Sequence, residues 1–207
     1  MTVPFIVHGG RGTGSVCVEA ALTLLELPYR IEDDPDRQIN PMRQVPAVVL
    51  PSGELMTESA AILIWLADEH PSRRLSPPVG DAARPAFLRW MAFVSAAIYA
   101  LFWIRDDPSR MAADKTHEAV IRERADQRIE HCWAIMQAGL SPRRYLLGED
   151  LTVLDLYVAV VSRWEPRRTR FYEVAPGLAE VVHRVDREPR LAALWAERFP
   201  FEPGWEG

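Results

Sequence analysis

The stretch that decides the fold is residues 44–62, which read QVPAVVLPSGELMTESAAI. Two short runs in it, at 47–50 and 54–56, flank a Pro-Ser-Gly turn at 51–53, and this pattern is typical of a β-hairpin. A helical pattern over 58–69 follows directly and stops before a proline. The stretch therefore predicts two antiparallel strands followed by a helix, which form one half of a small α/β layer.

The sequence before this stretch predicts the other half of the layer. Residues 5–8 form a short apolar strand pattern, a glycine-rich loop covers 9–14, and a helical pattern then continues until Pro28. Residues 29–32 predict a second strand. A strand, a helix and a strand in this order favour parallel pairing of the two strands, so we expect a sheet that mixes parallel and antiparallel pairs.

The sequence after this stretch is a linker followed by helices. Residues 71–85 are rich in proline and glycine, which is typical of a linker. Helical patterns follow over 87–105, 112–138, 151–164, 178–187 and 190–197. Thr152 and Asp155 at the start of the third resemble a capping box. We predict an α/β domain over 1–75, a linker over 76–85 and an all-helical bundle over 86–207.

Composition excludes several classes of protein. The 207 residues are 48% hydrophobic and 26% charged, as in ordinary globular proteins. The net charge of −5 argues against a nucleic-acid binder, which is usually strongly basic. Cys17 and Cys132 have no metal-ligand spacing and read as buried thiols, so we expect no metal site. The N-terminus shows no signal-peptide pattern. The apolar stretch 91–104 is short for a membrane span, so we expect a cytoplasmic protein with no membrane partner.

Residues 45–46 and 58–59 carry the chemistry of a peptide-binding site. An X-Pro bond that opens a strand, as Val45-Pro46 does, is a candidate for a cis peptide. A turn there leaves the backbone of Val45 able to pair with an extended peptide. Glu58 and Ser59 begin the next helix, where unpaired N–H groups and the helix dipole attract anions. The alternative is that Thr57 or Ser59 only caps the helix and Pro46 only marks a sheet edge.

Three segments in this order resemble the cytosolic glutathione transferases, in particular the bacterial type. They are residues 15–29, the pair 44–48 and 55–62, and the helix start at 152–155. The resemblance implies a thioredoxin-like N-terminal domain, a helical C-terminal domain and glutathione as co-substrate, with no other cofactor. It further implies that the cysteinyl backbone of glutathione pairs with Val45. Ser59 would then take the γ-glutamyl carboxylate, and Glu58 the ammonium group.

The resemblance leaves the group that activates the thiol open. The positions at which the family places its Tyr, Ser or Cys donor fall on Gly12 or Gly14, which have no side chain to donate a hydrogen bond. The hydroxyls in this loop belong to Thr13 and Ser15. Ser15 at the helix N-terminus is our first candidate as catalytic donor and Thr13 the second. The alternative for Ser15 is a plain N-cap.

Two further regions bear on the ligands. The connection between Tyr29 and Gln44 is shorter than in the family, and residues 33–37 read as a turn. A helix there normally holds the glycine end of glutathione, so Gln44, or Arg43, is the candidate that replaces it. Tyr99, Trp103 and Trp164 are candidates for an electrophile pocket, the alternative being core packing. The basic run 163–170 reads mostly as a solvated face.

The leading hypothesis is an enzyme that forms the thiolate of glutathione and attacks a small hydrophobic electrophile. One alternative is a binding or scaffold module of the same fold without catalysis. Another is a glutathione-dependent peroxidase, reductase or isomerase. The resemblance also implies a homodimer, for which residues Ala60, Ile64, Arg89 and Phe93 form a plausible contact face.

Overall fold

The structure is a computed structural model that describes residues 3–33, 39–201 and 204–206. Its sheet has the strand order β2-β1-β3-β4. The strands are β1 (Phe5–Gly9), β2 (Tyr29–Asp33), β3 (Ala47–Val49) and β4 (Leu55–Thr57). β1 pairs in parallel with β2 and antiparallel with β3, and β3 pairs antiparallel with β4. The mixed sheet and its hairpin are as predicted.

Two helices complete the N-terminal half. α1 (Ser15–Leu24) is buried at every residue except Thr23, because it packs against β1, α2 and the helical half at once. α2 (Ser59–Glu69) begins two residues after β4 ends. The predicted turn at 33–37 lies almost entirely outside the described residues. The described part of this connection, 39–46, contains turns and bends and forms no helix.

The C-terminal half is helical. Its first element is a continuous helical run made of α3 (Arg84–Phe93), a π-helix (Val94–Tyr99) and α4 (Ala100–Asp106). The other helices are α5 (Lys115–Gly139), α6 (Val153–Val161), α7 (Arg167–Val174), α8 (Pro176–Asp186) and α9 (Ala192–Arg198). The α/β plus all-α architecture is confirmed, whereas the domain limits at 75 and 85 stay a prediction.

The core is centred on α6, whose nine residues are all buried. It packs against α1 and α2 on one side and against α3 and α8 on the other, so it joins the two halves. Its start is held as the capping-box pattern predicts. The Asp155 carboxylate accepts hydrogen bonds from the Thr152 N–H at 2.7 Å and from the Leu146 N–H at 2.8 Å.

Two features of the helical half differ from the predictions. The basic run 163–170 is a solvated face only in part, because Glu165, Arg167, Thr169 and Arg170 are exposed whereas Arg163 and Arg168 are buried. Arg168 pairs with Asp186 at 3.0 Å, and the side chain of Arg163 lies against the rings of Phe199 and Phe201. The sequence also showed no helical pattern for α7, which begins at Arg167 within this run.

The first helical run is longer than the apolar stretch 91–104 suggested. Arg84–Asp106 has 23 residues and is long and apolar enough, by length and composition alone, to cross a membrane. In the fold, however, α3 packs against α6, and α4 packs against α5. Its π-helical segment and α4 also line the cavity described next, so this run has a structural role inside the helical half.

Candidate functional site

A cavity of about 760 Å³ lies between the two halves of the chain. The sheet side contributes the loops 12–14 and 42–45 and the side chain of Glu58. The helical side contributes the π-helix, α4 and Trp164. The volume is of the size that holds small-molecule ligands. The cavity therefore brings Gln44, Val45 and Glu58 face to face with the predicted aromatic pocket, whereas the predicted Pro46 and Ser59 are not among its lining residues.

The loop 40–46 presents the backbone of Val45 to this cavity. The Val45-Pro46 bond is cis, as its position before a strand predicted. The buried side chain of Asn40 organises the loop, since its amide donates to the Gln44 carbonyl at 2.9 Å and its oxygen accepts from the Met42 N–H at 2.9 Å. Sequence reasoning missed Asn40, although the Asn-Pro pair at 40–41 favours a turn. Gln44 also lines the cavity.

Glu58 and Ser59 differ in their exposure. Glu58 is exposed, lines the cavity and has a φ of +67°, a conformation that is strained for a non-glycine residue and that is enriched at functional sites. Ser59 is only 4% exposed, and its hydroxyl lies 2.9 Å from that of Tyr157 in α6. Burial raises the pKa of Tyr157 well above its ordinary value. The phenol is therefore protonated, and either hydroxyl of the pair can donate the hydrogen bond.

The glycine loop is fixed by residues distant in sequence. The Gly12 N–H donates to the Arg198 carbonyl at 2.9 Å, and the Trp164 indole N–H donates to the Gly12 carbonyl at 2.7 Å. Thr13 lines the cavity, but its hydroxyl turns back into the loop and donates to the Gly10 carbonyl at 2.8 Å. The loop thus presents mainly backbone to the cavity.

Ser15 lies behind the loop and is fully buried. Its hydroxyl donates to the Glu19 carboxylate at 2.8 Å and lies 3.0 Å from the hydroxyl of Thr13. The same carboxylate pairs with Arg198 at 2.8 Å. Gly14 is the N-cap of α1, so Ser15 is not the N-cap either. The structure does not bring Ser15 to the cavity, and its hydroxyl serves a buried polar cluster instead.

Aromatic side chains form the helical wall of the cavity. Tyr99 stacks on Trp164, with ring centroids 4.9 Å apart and planes 29° apart. The Tyr99 hydroxyl donates to the Val45 carbonyl at 3.2 Å, so it reaches across to the sheet side. Trp103 is 43% exposed at the mouth, where the guanidinium of Arg110 lies over its ring. All three predicted electrophile residues thus line one cavity.

The mouth also carries charged and polar groups that sequence reasoning did not single out. Ser95 of the π-helix lines the cavity, as do Asp106 and Asp107 beside Arg110. Partial burial raises the pKa of the Asp106 carboxyl. Among the described residues, no cluster of three or more His, Cys, Asp or Glu side chains is placed to hold a metal ion.

Residues 15–69 match the family model described as glutathione S-transferase, N-terminal domain. The sequence is 31% identical over 196 residues to the uncharacterised GST-like protein YncG of Escherichia coli strain K12. The aligned region covers 89% of this chain and 94% of the relative. It is 26% identical over 170 residues to glutathione S-transferase GstA of Escherichia coli O157:H7, with 81% of each chain covered.

Solved structures share the fold. A glutathione transferase homologue from Sulfitobacter with bound glutathione superposes with a TM-score of 0.82 at 22% identity, covering 93% of this chain and 97% of its own. A sphingomonad glutathione S-transferase complexed with glutathione superposes with a TM-score of 0.73 at 23% identity, covering 91% of this chain and 96% of its own.

Proposed function

This chain belongs to the glutathione S-transferase family, and from this premise we propose that it binds glutathione in the cavity and transfers it to a small, largely apolar electrophile. One observation carries the proposal. Val45 and Glu58 line the same cavity as Tyr99, Trp103 and Trp164. A peptide-binding edge and an aromatic pocket within one cavity of about 760 Å³ suit a reaction between a tripeptide and an apolar molecule.

In the proposed complex, the sheet side holds the peptide. The backbone of Val45 pairs with the cysteinyl residue of glutathione, as an added strand does. The carboxylate of Glu58 pairs with the γ-glutamyl ammonium group. The Ser59 hydroxyl and the N–H groups at the start of α2 hold the γ-glutamyl carboxylate. Gln44 and Arg43 serve the glycine end, and the thiol faces the loop 12–14.

The proposed reaction needs no further cofactor. The thiol releases its proton to water, and the resulting thiolate attacks an electrophilic carbon. A C–S bond forms while the leaving group, such as a halide, departs with its bonding electrons. The rings of Trp103 and Trp164 bind the apolar body of the electrophile. Binding both reactants in one cavity raises their effective concentration and lowers the barrier.

The proposal is tested by retention on immobilised glutathione and by conjugation of an aryl halide. Glu58→Gln keeps the shape of the side chain and removes the charge that pairs with the ammonium group, so we expect weaker retention and a higher KM for glutathione. Glu69→Gln is the matched control, since Glu69 is an exposed residue at the far end of the same helix. A protein that neither retains glutathione nor conjugates the halide contradicts the proposal.

A second candidate is a glutathione-binding module without catalysis. Two observations favour it: glycines occupy the usual donor positions, and Ser15 is buried away from the cavity. Retention on glutathione with no turnover of aryl halides, hydroperoxides or isomerisable substrates supports this candidate. If hydroperoxides are the only substrates turned over, the protein is a peroxidase that uses the same glutathione thiolate.

We also propose a homodimer through the face that holds Ala60, Ile64, Arg89 and Phe93. Arg89 is exposed and the other three side chains are partly exposed, which leaves them available for a contact. Light scattering at micromolar concentration tests this, and a species of 23.5 kDa contradicts it.

A further inference from the structure

The space in front of Gly14 is occupied by a hydroxyl from the other half of the chain. A Cβ atom built on Gly14 overlaps the hydroxyl oxygen of Tyr99 and lies 3.5 Å from Cδ of Pro46. Tyr99 therefore fills the place where a side chain of the loop would project. Its hydroxyl reaches the Val45 carbonyl at 3.2 Å, at the edge where the proposed cysteinyl residue lies.

The hydroxyls of the loop itself are turned to other partners. The Ser15 hydroxyl is fully buried and donates to Glu19. The Thr13 hydroxyl donates to the Gly10 carbonyl. Using either of them for the thiol requires these internal hydrogen bonds to break. Tyr99, in contrast, already lines the cavity.

The ring of Tyr99 is held in this position from two sides. It is the last residue of the π-helix Val94–Tyr99, and short π-helical segments occur frequently at functional sites. Its face stacks on Trp164, which in turn donates to the carbonyl of Gly12. The glycine loop and the tyrosine ring are thus tied together through one tryptophan.

From this geometry we propose that the hydroxyl of Tyr99 is the hydrogen-bond donor that stabilises the thiolate of bound glutathione. The inference rests on the proposed function. When the cysteinyl N–H takes over the Val45 carbonyl, the Tyr99 hydroxyl turns to the sulfur. The thiol proton leaves to water, and the phenol keeps its own proton while its O–H group donates a hydrogen bond to S⁻. A donor to the charged form lowers the thiol pKa, so the helical domain supplies what the glycine loop lacks.

The test measures the thiol pKa of bound glutathione. The full chain is saturated with glutathione, and the ultraviolet absorbance of the thiolate is followed against pH. We expect Tyr99→Phe to raise this pKa by about one to two pH units, which is the size of one hydrogen bond to a charged group. Tyr172→Phe is the matched control, because the Tyr172 hydroxyl bonds to Glu206 outside the cavity; its thiol pKa is expected to equal that of the unmodified protein.

A second measurement separates the two proposals. Binding of S-methylglutathione, which has no thiol, reports the peptide site alone. If the unmodified protein does not bind it, the proposed function fails. If binding persists but Tyr99→Phe leaves the thiol pKa unchanged, or Ser15→Ala raises it instead, only the role of Tyr99 is overturned. Should Tyr99→Phe fail to fold, Gly14→Ala gives the same answer, because its methyl group displaces the hydroxyl and is expected to raise the thiol pKa as well.

Discussion

The hydroxyl oxygens of Ser59 and Tyr157 lie 2.9 Å apart in a buried contact between α2 and α6. Either hydroxyl can be the donor in this contact. When Tyr157 donates, the hydrogen of Ser59 is available for a hydrogen bond to a bound carboxylate. The central helix of one half of the chain therefore orients a residue of the proposed glutathione site in the other half.

This contact predicts graded effects on glutathione binding. Ser59→Ala removes a hydrogen bond to a charged group and should raise the dissociation constant by about tenfold or more. Tyr157→Phe leaves the Ser59 hydroxyl in place but removes its partner, and it should raise the dissociation constant by about threefold to tenfold. Calorimetric titration measures both. Ser162→Ala serves as the control, since the Ser162 hydroxyl is buried and bonds to the Val158 carbonyl within α6. Equal affinities of Tyr157→Phe and the unmodified protein contradict the argument.

The positive φ of Glu58 predicts an unusual order of stabilities. At a φ of +67°, alanine is strained by about 1–2 kcal/mol whereas glycine is not. Glu58→Gly should therefore be more stable than Glu58→Ala by about 1 kcal/mol, although both lose affinity for glutathione. At Glu69 in the last turn of α2, the order should reverse, because glycine is a poorer helix former. Urea unfolding of the four variants measures this, and the same order at both positions refutes it.

The buried pair of Glu19 and Arg198 predicts a pH-dependent loss of stability. Burial already raises the pKa of Glu19 above 4.5. Arg198→Met leaves that carboxylate without its cation and should cost about 3–5 kcal/mol near neutral pH. The pKa of Glu19 then rises further in the folded state, so the deficit relative to the unmodified protein grows as the pH increases above the raised folded pKa of Glu19 in the unmodified protein, and it shrinks toward lower pH.

Unfolding by urea at about pH 5 and about pH 8 measures this difference. The double variant Glu19→Gln with Arg198→Met carries no carboxylate at this place, so its deficit should not depend on pH in this way. A deficit of Arg198→Met that is equal at both pH values counts against a buried charge as the cause.

Asp155 predicts a second pH effect. Burial raises its pKa from 3.8 to about 6. The unfolded chain therefore ionises this group at a lower pH than the folded chain does, and the contribution of the group to stability falls as the pH rises from about 4 to about 6. Relative to Asp155→Asn, the unmodified protein should lose up to about 3 kcal/mol over this range, at 1.36 kcal/mol per pH unit. Unfolding curves collected across the range measure it. Asp150→Asn, at an exposed site, is the control. A constant difference for Asp155→Asn rules the effect out.

The sheet, the hairpin and most helices could be predicted because their signals are local. The turn at 51–53 sets the hairpin, and the Thr152–Asp155 spacing marks the start of α6. The aromatic pocket residues were also predicted, because Tyr99 and Trp103 lie on one helical run. However, these residues form a pocket only together with Trp164, which stacks on Tyr99, and no local sequence pattern specifies that contact.

The features that the sequence could not predict depend on partners distant along the chain or on local helix geometry. Ser15 and Glu19 are four residues apart on α1, but Arg198, which completes their cluster, is 179 positions from Glu19. Arg168 looked solvated because Asp186 lies 18 positions away. The orientation of Tyr99 depends on the π-helix, whose period differs from the 3.6 residues assumed in reading helical patterns.

The ties of Gly12 to Trp164 and to the Arg198 carbonyl have a consequence for biosynthesis. The glycine loop leaves the ribosome early, but the groups that fasten it are added only when translation has reached residue 198. A nascent chain can form its sheet first, but the cavity between the two halves is completed last. Binding of a ligand in this cavity would therefore indicate that the chain from β1 to α9 has folded and packed together.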